Sequence, residues 1–137
     1  MSELARNRFA SVSVAVLATV SDDNTPHLVP ITFALSDDLI VTGIDHKPKR
    51  SARLRRLDNI ANNSAVSVLA HHYDPDDWAR LWWARADGSA RIVSPDGSDH
   101  PGLKALLGDT YEQYRDHPIE GPIIAIAVER WSTWSGS

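Results

Sequence analysis

Three apolar runs near the N-terminus are joined by links too short for anything but antiparallel pairing. Val12-Ser13-Val14-Ala15-Val16-Leu17-Ala18-Thr19-Val20 is dense in β-branched residues and predicts a buried strand over 12–20. Ser21-Asp22-Asp23-Asn24-Thr25 is turn chemistry, and a second strand is predicted over 27–35. Ser36-Asp37-Asp38 then turns into a third strand over 39–44. A parallel crossover needs about a dozen residues or more, so these three strands are expected to form a meander.

Further along, the spacing of Leu54, Leu57 and Ala61 predicts a helix over 50–62, with Asn62-Asn63 as its stop. A fourth strand is predicted over 65–73, followed by the acidic loop Asp74-Pro75-Asp76-Asp77. Residues 78–86 and 89–93 are expected to be the arms of a hairpin about Asp87-Gly88. Pro101 suits the first turn of a helix whose core face is Leu103, Leu106, Leu107 and Tyr114. A last strand over 123–128 runs out toward Trp131 and Trp134, and a short N-terminal helix over 3–9 turns Leu4 and Phe9 to the core. The total is about seven strands and two or three helices, mainly β in an α+β or closed-barrel arrangement. With no repeat, low-complexity tract or linker, residues 1–137 are read as one domain.

Composition narrows the function classes. The chain has no cysteine, which excludes disulfides, thiolate metal sites and cysteine nucleophiles. No apolar run approaches the roughly 20 residues that span a bilayer, and the first residues lack a signal-peptide core. A cytoplasmic location is therefore expected. A net charge of −4 argues against a nucleic-acid coat protein. Against that acidity, positions 46–56 hold six of the fourteen Lys and Arg: Lys47, Lys49, Arg50, Arg53, Arg55 and Arg56. The cluster begins in a loop stiffened by Pro48 and continues into a helix start, where free N–H groups and the helix dipole favour anions. A solvated helix face is the plain alternative, and a phosphate or polyanionic ligand is the sharper one.

Other chemistry is thinly signalled. Trp82 and Trp83 are neighbours in a strand and must face opposite sides. One can enter the core while the other meets a groove, a stacked heterocycle or a partner subunit. His71 and His72 diverge for the same reason, and no recognised metal spacing surrounds them. Ser51 and Ser67 have no base beside them in sequence, and no glycine-rich phosphate motif is present. A chain with an anion pocket, aromatic walls and no catalytic constellation is often one whose cofactor carries the chemistry.

The order of features, strand–turn–strand, Thr42-Gly43-Ile44-Asp45-His46-Lys47-Pro48-Lys49-Arg50, then a helix running into Asn59-Ile60-Ala61-Asn62-Asn63-Ser64-Ala65-Val66, resembles the pyridoxamine 5′-phosphate oxidase-like family. The segments His71-His72-Tyr73-Asp74, Trp78 through Gly88, and Glu129-Arg130-Trp131-Ser132-Thr133-Trp134 resemble its actinobacterial branch, which uses the deazaflavin coenzyme F420 in place of FMN. The resemblance covers nearly the whole chain and rests on the order of short motifs. It implies a split β-barrel of the FMN-binding type, acting as a homodimer with the cofactor in a groove between subunits.

Residue by residue, it implies that Lys47 and Lys49 hold the cofactor phosphate, with Arg50, Arg53 and Arg56 supporting it or meeting a polyglutamate tail. Val29, Pro30, Ile31 and Thr32 would run beside the ring, and Trp78 would come from the other subunit. The chain departs from the family where Ser-Arg-Lys or Arg-x-Lys becomes Lys47-Pro48-Lys49, and where Asn-Pro becomes Asn63-Ser64. The implied activity is hydride transfer between reduced F420 and an electron-poor enone, quinone or tetrapyrrole. An FMN-binding oxidoreductase, and a non-catalytic storage or RNA-binding module, are the rival classes.

Overall fold

The computed structural model describes residues 2–44 and 50–136, with the side chains of 50–54 outside that description. Its elements are α1 (Ser2–Ala10), β1 (Val14–Val20), β2 (Pro26–Thr32), β3 (Ala34–Ser36), β4 (Leu39–Gly43), α2 (Arg50–Asn62), β5 (Ala65–His72), β6 (Trp82–Val93), α3 (His100–Thr110), α4 (Glu112–Asp116) and β7 (Ile123–Ser135). All seven strands join one antiparallel sheet in the order β2-β1-β5-β6-β7-β4-β3.

That order explains the curvature. β2 and β3 are the two edges of the sheet, yet only Phe33 separates them in the chain. One residue spans only about 7 Å between its neighbours' Cα atoms, so the edges must come together and the sheet must curl into a barrel. Thr42 Oγ1 donates to the Thr32 carbonyl at 2.8 Å across the join. Tyr111 staples it, its hydroxyl accepting from Phe33 N–H at 3.1 Å and lying 2.7 Å from the Phe33 carbonyl. The expected meander is therefore corrected. The second strand is split at Phe33, and its halves pair outward with β1 and β4 instead of with each other.

Phe33, Phe9 and Trp131 meet edge to face inside the barrel, with ring centroids 5.7 and 5.3 Å apart. Leu17, Ile31, Ile40, Val68, Ala84, Ile124 and Ile126 complete this interior. A second apolar cluster lies on the opposite face of β4 and β7, where Val41, Ile123 and Ala125 pack under Leu103, Leu107 and Ile119. Burial on both faces is why β4 and the first half of β7 read as unbroken apolar runs.

Several expected elements shift. Asp87-Gly88 is no hairpin turn: β6 runs straight through it, pairing with β5 and β7 on either side. A Cβ on Gly88 would stand 2.1 Å from the Ala127 carbonyl, so glycine serves close strand approach here, beside a bulge that leaves Glu129 unpaired. Trp78 lies in a short 3-10 turn, Trp78–Arg80, instead of in a strand. Leu4 is 48% exposed, while Ala5 and Phe9 carry the buried face of α1. On α2, Asn59 and Ile60 are buried and Ala61 is exposed. Tyr114 belongs to α4, and the last strand extends to Ser135.

Candidate functional site

The site begins where α2 lies across β1. Thr19 on β1 is buried, and the Asn59 amide donates to its hydroxyl at 3.0 Å, a polar clamp that fixes the helix against the barrel. Thr19 is the cross-strand partner of His27, so both side chains leave the sheet on the same face. Val29 and Ile31 continue that inward row on β2, and Leu28, Pro30 and Thr32 form the outward row. Arg56 precedes Asn59 by three positions and so shares its face of α2.

The electrostatics of this corner are uneven. Arg56 is half-buried, and burial lowers its pKa, although a guanidinium remains cationic at neutral pH. Its Nε is fully buried with no hydrogen-bond partner among the described residues. His27 Nδ1 is buried and unpartnered in the same way. Burial first, then the charges of Arg55 and Arg56, hold the His27 pKa below its ordinary value. A cleft of about 630 Å³ opens beside these residues, lined by the β1–β2 turn, His27, Arg55, Asp58, Asn59 and Asn62.

The sequence-derived residues divide as follows. Lys47 and Lys49 lie outside the described residues. Arg50 and Arg53 fall in the first turns of α2, and their side chains lie outside the description. Arg56 reaches the barrel end as a desolvated cation. Val29 packs against the core and Ile31 is part of it, so only their backbones are available to a ligand. Pro30 and Thr32 are exposed on the outer face, and Thr32 Oγ1 lies 3.0 Å from Tyr114 Oη. β2 has β1 on one side only, leaving its other backbone edge unused by the sheet.

Trp78, 69% exposed, is not brought to this corner. It sits beside Gly136, at the end of the barrel where His72 pairs with Trp82 and Trp82 with Ser135. β5 begins three residues after α2 ends, and its seven steps carry the chain roughly 23 Å to that end. Trp82 does face inward, stacked on His72 with Arg8 over its ring, while Trp83 faces outward beside Arg85.

His27, Asn59 and Thr19 were not singled out from sequence, and Arg55 entered only as one charge of the basic cluster. For His27 a signal exists: in Pro26-His27-Leu28-Val29-Pro30-Ile31 it alternates in phase with Val29 and Ile31, which makes it an inward-facing polar residue on an apolar row.

A curled antiparallel barrel, a helix laid over one end and a half-buried arginine beneath that helix, with no carboxylate acting on it among the described residues, define a split β-barrel. The chain belongs to the pyridoxamine 5′-phosphate oxidase family, whose model matches residues 1–135. Among solved structures it is similar to the conserved hypothetical protein Rv2991 from Mycobacterium tuberculosis (TM-score 0.72, 21% identity, 98% of this chain and 83% of that one). It is also similar to a FAD-binding protein from Mesorhizobium loti (TM-score 0.72, 15% identity, 97% and 91%). A third similar structure is the heme storage protein HutZ from Vibrio cholerae (TM-score 0.71, 14% identity, 97% and 92%). At these identities the likenesses bear on fold alone. A search of curated proteins returns no match.

Proposed function

We propose that this chain is an oxidoreductase that holds a phosphate-bearing deazaflavin, coenzyme F420, at the α2 corner of the barrel and works as a homodimer. The observation that carries the reading is Arg56, a half-buried guanidinium with an orphaned Nε and no carboxylate acting on it among the described residues. A desolvated cation without a counter-ion is costly unless a ligand supplies the anion. Family membership and the FAD-binding neighbour support a flavin-like ring in this fold. When bound, such a cofactor supplies the hydride chemistry.

The chain's own residues bind, orient and exclude water. Arg56, together with Lys47, Lys49, Arg50 and Arg53, takes the phosphate and any anionic tail. The open backbone edge of β2 along Val29, Pro30, Ile31 and Thr32 lies alongside the ring. Pro30 lacks an N–H, so at that position the edge offers a carbonyl only. Support for a second copy comes from the outer face of β1, β2, β5 and β7, where Val14, Leu28, Leu69 and Trp134 are exposed together with no covering element among the described residues. A partner on that face would supply the Trp78 that a single chain leaves far from α2.

Titration with F420 and with FMN, followed by tryptophan fluorescence, tests the assignment. F420 is expected to quench more tightly than FMN. Lys49→Ala and Arg56→Ala should each weaken binding by about 10- to 100-fold, the value of a charge-assisted hydrogen bond. Unchanged affinity in both variants would remove the phosphate assignment. Flavin released from purified, yellow protein would favour the FMN-dependent form of the same function. Tight F420 binding without turnover of enones, quinones or biliverdin would mark a storage protein. Hemin binding with no affinity for either cofactor would overturn the reading.

A further inference from the structure

Beneath Arg56, on the inward row of an edge strand, the barrel keeps a second nitrogen without a partner. His27 is set across from Thr19, and Thr19 is bonded to Asn59 of α2, so the imidazole leaves the sheet on the face that α2 covers and lines the cleft beside that helix. Its Nδ1 is buried and has no hydrogen-bond partner among the described residues. Two orphaned nitrogens in one corner, one on His27 and one on Arg56, are costly in the absence of a hydrogen-bonding partner.

Among the described residues, the charged groups around the ring come from two elements. The β1–β2 turn contributes Asp22 and Asp23, and α2 contributes Arg55, Arg56 and Asp58. All three carboxylates are on exposed residues at the cleft rim. Asp23 is already engaged, accepting from the Ser21 hydroxyl and the Thr25 N–H. Among the described residues Arg55 and Arg56 act on His27, and no carboxylate does. The local field at the ring is therefore positive despite the acidic rim.

We propose that His27 is a further anion-binding residue, donating from its ring to a phosphate-type oxyanion held by Arg56 and taking up one proton from solvent as that anion enters. The proposal rests on the phosphate-holding role given above to the α2 corner. A dianion placed between the ring and Arg56 reverses the field that keeps the imidazole neutral. The bound state therefore carries an imidazolium where the free state does not, and binding is linked to pH. Neither Lys47 nor Lys49 can provide this linkage, because a lysine ammonium is already charged at neutral pH.

The test uses the whole chain, wild type and His27→Gln, with FMN, F420 and inorganic phosphate as probes. Cofactor affinity is measured from about pH 6 to about pH 8.5, bracketing the ordinary histidine range. The phosphate probe is followed through the histidine ring resonances by NMR. Because the phosphate has its own titration, the decisive quantity is the difference between the two proteins. Wild type should gain about tenfold more affinity than His27→Gln on acidification across that range, a tenfold change being one pK unit of linkage. Calorimetry in two buffers of different ionisation enthalpy should register the extra proton in wild type only.

Identical pH profiles for the two proteins, with cofactor bound, would overturn the role of His27 and leave the cofactor assignment standing. If neither cofactor binds but phosphate shifts the His27 resonance to its protonated position, the cofactor reading fails and the anion site stands. If neither cofactor binds and phosphate leaves the ring unmoved, both fall.

Discussion

At the scale of single residues, the corner under α2 holds buried polar atoms that no described residue satisfies. Arg56→Met keeps the length and apolar stem of the side chain and removes the desolvated charge. It is expected to stabilise the free protein by about 1 kcal/mol, read as a raised denaturation midpoint, while weakening phosphate-dependent binding as Arg56→Ala does. A lower midpoint would mean that the guanidinium has a partner after all. Asn59→Ala should act in the opposite sense, costing about 1–3 kcal/mol because it strips the buried Thr19 hydroxyl of its donor and leaves a gap beneath α2. His27 adds a pH dependence of known sign. Its pKa is held below the ordinary 6.5, so the unfolded chain takes up the proton first as pH falls. Its contribution is complete above about 6.5 and is lost as pH drops through the folded-state pKa. His27→Gln should flatten denaturation midpoints over that acid window and leave them unchanged above it.

Among the elements, β6 shows how tertiary pairing overrides local preference. Asp-Gly between apolar runs is a strong hairpin signal, yet here both residues sit mid-strand. Asp87 faces outward, accepts from the Ser67 hydroxyl, and pairs with Arg85 at 3.1 Å and Arg130 at 3.3 Å. Desolvation raises its pKa, but those hydrogen bonds and the Arg85 charge outweigh it, so the net shift is downward. That contribution is present above about pH 4 and disappears as pH falls through the folded-state pKa. Asp87→Asn should remove this acid sensitivity, checked by comparing urea midpoints on either side of pH 4. Gly88→Ala is expected to be worse, since the backbone of Ala127 cannot yield to a new methyl at 2.1 Å. A loss of about 1–3 kcal/mol, as for overpacking elsewhere, should appear in the same experiment. A neutral Gly88→Ala would show that the β6–β7 contact is looser than described.

For the molecule as a whole, the exposed sheet face is the surface on which the proposed homodimer would form. Leu28, 66% exposed, and Leu69 share the outer face of β1, β2 and β5. Leu69→Glu is expected to shift a dimer to monomer in light scattering and to weaken cofactor binding in parallel, since the partner would supply Trp78. A monomer in the wild type would remove the homodimer from the proposed function. Element identities were legible because periodicity is local: the run before Ser21, the Leu57 helix and the Ile123 strand each declare themselves within a dozen residues. The basic cluster was legible for the same reason, as charge density needs no fold to be counted. Phe33 marks the limit. Nothing local to it distinguishes a continuous strand from a crossing between two sheet edges, because that choice belongs to closure of the barrel. The placing of α2 over His27, the desolvation of Arg56 and the distance of Trp78 from α2 were likewise settled only by packing. Each depends on which distant backbone lies opposite, and strand registry between remote segments is a property of the assembled sheet.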